Sequence, residues 1–137
     1  MSLEIGGGNS IQPFMAAALM DLPVVDAEDK QPIEPGQVYL APPDYHLYVD
    51  QDGFSLSVDD AVLYSRPSID VLFESVAQVY GDRAVGVVLT GRNEDGAEGL
   101  AQIMAAGGFT VVQDPGTAEQ AEMPAAAIAR GAARRVL

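Results

Sequence analysis

The sequence predicts an α/β domain built on a doubly wound parallel sheet, with a small antiparallel hairpin added to it. Three observations predict this. Short apolar β-branched runs alternate with segments of helical periodicity through the second half of the chain, the pattern of a parallel sheet covered on both faces. The run Ala84 to Leu89 breaks off at Thr90-Gly91 and re-enters a helical segment near Leu100, a strand–loop–helix unit with Asp95 in the loop. An Asp-Gly pair, Asp52-Gly53, lies between two extended runs and marks a hairpin.

In chain order, Met1 to Ser10 contains Gly6-Gly7-Gly8-Asn9-Ser10 and reads as a flexible start. Ile11 to Met20 has helical composition. Val24-Val25 suggests a short strand, followed by the charged loop Asp26 to Lys30. Pro35-Gly36 is a turn signal leading into the strand Gln37 to Ala41, which Pro42-Pro43 closes. His46–Val49 and Phe54–Val58 form the hairpin, expected at one edge of the sheet. Ser65-Arg66-Pro67-Ser68 reads as a helix start, and Ile69, Leu72, Phe73, Val76 and Val79 recur at helical spacing until Gly81. The uninterrupted run Val85 to Leu89 fits a central strand buried on both sides. A helix containing Leu100, Ile103 and Met104 ends at Gly107-Gly108. The strand Phe109 to Gln113, a loop with Pro115-Gly116 and a helix over about Pro124 to Ala129 complete the pattern.

Composition excludes several function classes. The 137 residues hold 20 acidic and 7 basic side chains, a formal net charge of −13. Such a chain repels a phosphate backbone, so no nucleic-acid partner is expected, and an anionic membrane surface is disfavoured in the same way. With no cysteine and the single histidine His46, cysteine-ligated zinc, thiolate catalysis and multi-histidine metal sites are excluded; no metal and no cofactor are expected. No apolar run reaches the length of a membrane span. Phe14 to Met20 lacks the basic flank of a signal peptide, so the expected location is the cytoplasm.

Asp95 is the candidate for chemistry, because ligands in open α/β sheets bind beyond the carboxyl ends of the strands. The competing role is that of a cap on the helix that follows it. His46, just after a predicted strand, is a candidate base or a plain strand-edge histidine. Arg66 precedes a helix start, where a cation is not favoured, and so is expected to have a partner elsewhere. Asp70 in the first helical turn fits the helix dipole and needs no further role. The glycines at 91, 96 and 99 lack the endings of phosphate-binding loops, which leaves a nucleotide-binding α/β domain a distant alternative.

The segments also resemble a known family. Pro35-Gly36-Gln37-Val38-Tyr39-Leu40-Ala41-Pro42, Asp44-Tyr45-His46-Leu47, Arg66-Pro67-Ser68-Ile69-Asp70-Val71-Leu72-Phe73, Ala84 to Gly99, Ala106-Gly107-Gly108 and Met123 to Ile128 occur in the order found in the catalytic domain of the chemotaxis receptor methylesterases, the CheB family. The resemblance covers residues 22–137 as one domain and leaves 1–21 as a short segment, either shortened or added. It implies a Rossmann-like fold, hydrolysis of methyl esters on glutamate side chains of chemoreceptors, deamidation of certain glutamines there, and a Ser-His-Asp triad. Asp95 matches the triad aspartate that orients the histidine. Gly91, Arg92, Asn93 and Gly96 match the loop beside the oxyanion site, where many members carry methionine-glycine in place of Arg92-Asn93.

The family's serine and histidine precede the matched region. Gly8 falls where the serine would stand, Ser10 is the nearest hydroxyl, and His46 matches a family histidine outside the triad. Ser10 and His46 are therefore only substitute candidates, and the chain is expected to be weakly active or inactive. The alternative is a non-catalytic receptor-binding member of the family. The expected partners are the methylated cytoplasmic helices of a chemoreceptor, with self-association through an exposed sheet edge as a further expectation.

Overall fold

A computed structural model describes residues 2–4 and 22–137. The helix expected over Ile11–Met20, and the candidate Ser10, lie outside the described residues. Two parallel three-stranded sheets and one antiparallel hairpin are present. The first sheet joins β1 (Ser2–Glu4), β3 (Val38–Leu40) and β2 (Val24–Asp26), with β3 in the middle. The hairpin pairs β4 (His46–Asp50) with β5 (Gly53–Ser57) across the Asp52-Gly53 turn, Asp50 opposite Gly53. The second parallel sheet runs β6 (Val85–Val88), β7 (Phe109–Val112), β8 (Arg135–Val136). Among the described residues three α-helices, α1 (Ile69–Tyr80), α2 (Ala97–Ala105) and α3 (Glu122–Ala129), connect and cover these strands.

The hairpin is more than an edge addition. Leu47 and Val49 of β4 and Phe54 of β5 are buried against Leu72 of α1, together with Tyr39 and Ala27. Tyr39 and Phe54 meet edge to face with ring centroids 4.7 Å apart, an arrangement worth about 1 kcal/mol beyond its buried area. The Ser75 hydroxyl of α1 accepts from the Val49 amide at 2.9 Å, fixing the hairpin to the helix by a buried bond. A second cluster of Val88, Leu100, Val112, Met123 and Ala127 sits between β6–β7 and helices α2 and α3.

Strand β6 departs from the expected burial on both sides. Gly86 and Val88 point inward, while Val85 and Val87 are 65% and 46% exposed. Leu89 and Phe109 are exposed beside them, so the described residues leave an apolar sheet face uncovered. A continuous apolar run does not distinguish one covered face from two. Strand β8 also goes beyond the sequence pattern, since two residues carry no periodicity. Among the described residues, no helix is long and apolar enough to cross a membrane.

Candidate active site

Helix α1 and the loop after β6 build the site together. Ser68 caps α1: its hydroxyl accepts from the Val71 amide, closing one of the free donors of the first turn. Asp95, only 2% exposed, lies against the same turn. Its Oδ1 accepts from the Ser68 hydroxyl at 2.8 Å and from the Asp70 amide at 3.0 Å. Its Oδ2 accepts from the Ile69 amide at 2.7 Å. Three donors at the N-terminal end of α1 thus converge on one buried carboxylate and fix its orientation.

Asp95 does not cap its own helix. The N-cap of α2 is Gly96, at φ 107°, and it brings no side chain to the task. The amides of Gly96 and Gly99 at this end are satisfied by Asp70, whose Oδ1 accepts from them at 2.9 Å and 2.7 Å. Each helix therefore supplies, or follows directly upon, the carboxylate that caps the other. Asp70 does more than complement the dipole of its own helix. Close approach makes the exchange possible: a Cβ on Gly99 would meet Asp70 Cα at 2.9 Å and Phe73 Cβ at 2.6 Å.

Burial pushes the Asp70 carboxyl above its ordinary value; the Gly99 amide partly offsets this, and the nearby Asp95 charge adds to the rise. The folded chain thus holds a proton on Asp70 more tightly than the unfolded chain does. The resulting stabilisation is complete below the ordinary aspartate range and is lost as pH rises through the raised folded value. Asp70→Asn lacks this titration. Urea unfolding between about pH 3 and pH 7 should show the parent losing stability relative to the variant as pH rises. A parallel pair of curves would contradict this.

His46 is 1% exposed and both ring nitrogens are engaged. Nε2 lies 2.8 Å from the Asp60 carbonyl, so it carries the proton, and Nδ1 accepts from the Ser68 amide at 3.2 Å. Ser68 links His46 and Asp95, yet its hydroxyl donates to the aspartate rather than to the imidazole, and it is fully buried. The trio has the residue types of a catalytic triad with the bonding of a structural brace. His46→Ala would strand the Ser68 amide and the Asp60 carbonyl and leave a cavity. The expected cost is about 2–4 kcal/mol in urea unfolding, and a loss under about 0.5 kcal/mol would contradict the brace.

The loop between β6 and α2 is fixed at both ends. The Gly91 amide donates to the Gln120 carbonyl, and Met123 covers Gly91 so closely that a Cβ there would lie 2.5 Å from its Cε. Asn93 Oδ1 accepts from the Asp95 amide at 3.0 Å, and its Nδ2 donates to the Ser65 hydroxyl at 3.2 Å. Asn93 thus ties the loop to the approach of α1. The Gly91, Asp95 and Gly96 amides are engaged, whereas those of Arg92, Asn93 and Glu94 have no partner among the described residues. The Arg92 side chain is only partly buried. Arg66, expected to need a partner, donates from Nη1 to the carbonyls of Val58 (3.0 Å) and Asp59 (3.3 Å). The glycines of this loop serve packing and capping, and Asp70 already occupies the α2 N-terminus that a phosphate would use.

The geometry defines an α/β domain with an anionic acceptor buried at the carboxyl end of a parallel strand, the position at which such folds do their chemistry. Comparison with known proteins identifies the class. The family described as CheB methylesterase matches residues 11–137. A relative from Leptospira interrogans is 53% identical over 111 residues, 80% of this chain and 58% of the relative. A Symbiobacterium thermophilum protein named protein-glutamate methylesterase/protein-glutamine glutaminase is 43% identical over 120 residues, 87% of this chain and 33% of that protein. The crystal structure of the Thermotoga maritima CheB methylesterase catalytic domain superimposes with a TM-score of 0.87 at 31% identity, covering 91% of this chain and 68% of that one. The chain belongs to the CheB methylesterase family. It spans about three fifths of the Leptospira relative and about a third of the Symbiobacterium one.

Proposed function

We propose that this chain is the acid-bearing part of a protein-glutamate methylesterase site, with Asp95 as the residue that orients a histidine and stabilises its charged form. One observation carries the reading. Asp95 has about four acceptor positions, and the described residues fill three, two on Oδ1 and one on Oδ2. The remaining position on Oδ2 can accept an imidazole N–H, and the surrounding donors hold the carboxylate in place for that task. The amides of Arg92 and Asn93, three and two residues before Asp95 and without a partner among the described residues, are donors this loop can offer to a developing oxyanion.

Among residues 22–137 no histidine is free to activate a hydroxyl: His46, the single histidine, has both ring nitrogens engaged, and the Ser68 that touches it is buried with its hydroxyl on Asp95. That observation favours receptor binding with little turnover as the chain's own activity. The partner is the methylated cytoplasmic helical region of a chemoreceptor, met in the cytoplasm. Co-sedimentation with membranes carrying methylated receptor tests this. Retention on receptor membranes, and not on receptor-free ones, supports the reading; equal partition between the two overturns it.

The face of β6 and β7 that the described residues leave open, with Val85, Val87, Leu89 and Phe109 exposed, also favours self-association. Light scattering should show the apparent mass rising with concentration, and Val87→Lys should suppress the rise. A clean monomer at high concentration would refute it.

A further inference from the structure

We propose that Asp70 is the positioning residue for Asp95: by capping α2 it holds the Asp95 loop against the first turn of α1. This builds on the reading of Asp95 as the triad acid. The two carboxylates are exchanged between helices whose residues are otherwise distant in sequence. Asp95 takes three bonds from Ser68, Ile69 and Asp70, and Asp70 returns two to Gly96 and Gly99. Gly96 directly follows Asp95, so the bond from its amide to Asp70 fixes the peptide that carries the Asp95 side chain. Without it α2 has no side-chain cap, because glycine at 96 offers none.

Stability alone does not call for aspartate at position 70. Asparagine and serine cap helices about as well as aspartate. A second carboxylate buried beside Asp95 adds like-charge repulsion and desolvation, and Asp70 is 7% exposed against 2% for Asp95. What the charge adds is shorter, stiffer bonds to the Gly96 and Gly99 amides. Stiffness at that peptide is the property an orienting carboxylate needs, since an acceptor that swings cannot hold an imidazole in one tautomer and direction.

The test is amide NMR and hydrogen exchange on the whole chain and its Asp70→Ala, Asp70→Asn and Asp70→Ser variants. The Ile69 amide is the reporter, because it donates to Asp95 and makes no bond to the Asp70 side chain. Asp70→Ala should move the Ile69 resonance upfield and speed its exchange about tenfold beyond any change in global stability. Asp70→Asn, which keeps an acceptor but not the charge, should restore part of the protection and fall short of the parent. An Ile69 amide that stays as in the parent, while only Gly96 and Gly99 lose protection, would make Asp70 a helix cap and nothing more. If Asp70→Ala does not fold, Asp70→Ser carries the comparison, because its hydroxyl sits one bond short of the oxygen that reaches the Gly96 and Gly99 amides; an unchanged Ile69 amide there overturns the proposal equally. These readouts need no turnover. A disturbed Ile69 amide alongside absent receptor binding would therefore overturn the reading of the site and leave the positioning intact.

Discussion

Asp95→Ala should lower unfolding stability by about 3–5 kcal/mol, enough to remove a large share of the roughly 5–15 kcal/mol that holds a domain together. The side chain is buried and is the common acceptor for the Ser68 hydroxyl and the Ile69 and Asp70 amides. Removing it leaves buried donors facing a methyl group, each at about 1–3 kcal/mol when unsatisfied. The costs do not add in full, because Ser68 can turn elsewhere. Asp95→Asn should cost less, about 1–3 kcal/mol, since one oxygen remains and the new amide group opposes a single donor. Urea midpoints for the three proteins check both figures. A loss within about 0.5 kcal/mol for the alanine variant would mean that Asp95 is not the acceptor described.

The second large effect is expected at Gly99. A Cβ there meets backbone, Asp70 Cα at 2.9 Å and Asp70 carbonyl oxygen at 3.1 Å, besides Phe73 Cβ at 2.6 Å. Backbone atoms in a helix cannot step aside, so α1 and α2 must separate. Overpacking of this kind costs about 1–3 kcal/mol, and separation also withdraws Asp70 from the α2 amides, worth up to about 2 kcal/mol as a cap. Gly99→Val should therefore destabilise by about 3–5 kcal/mol and Gly99→Ala by roughly half of that. Gly36 is a useful contrast: it sits at φ 80°, and a Cβ added to it would have nothing within 4 Å. Gly36→Ala should cost only the left-handed strain of about 1–2 kcal/mol. Thermal unfolding in which Gly36→Ala loses more stability than Gly99→Val would contradict the close helix contact.

Much of this architecture is legible in the sequence because local signals and burial agree. Ser68 caps α1, Gly81 ends it, Asp52-Gly53 turns the hairpin, and each is a residue whose chemistry acts within a few positions. Asp95 stands out for its place after a strand. Its partner is not legible. Asp70 caps a helix whose N-cap lies 26 residues later, and a first-turn aspartate looks the same whether it caps a neighbour or only suits a dipole. One hint is present: α2 starts at a glycine, which cannot cap with a side chain, so its amides need an acceptor from elsewhere. The coverage of β6 is equally hidden, since Val85 and Val88 are both apolar and only the packing separates the open face from the closed one.

His46 shows the limit from the other side. A lone histidine beside a motif invites a catalytic role, yet its two nitrogens tie β4 to the segment that leads into α1. Both ties are to backbone atoms, which no side-chain pattern in the sequence reveals.

The most direct measurement is methanol release from methyl-labelled chemoreceptor membranes by this chain and by Asp95→Asn, which removes, at the smaller stability cost, the carboxylate proposed to orient a histidine. Release at the level of the protein-free blank is expected for both, because the single histidine, His46, has both ring nitrogens engaged and is not free to act as a base. Robust release by the parent chain would contradict that claim.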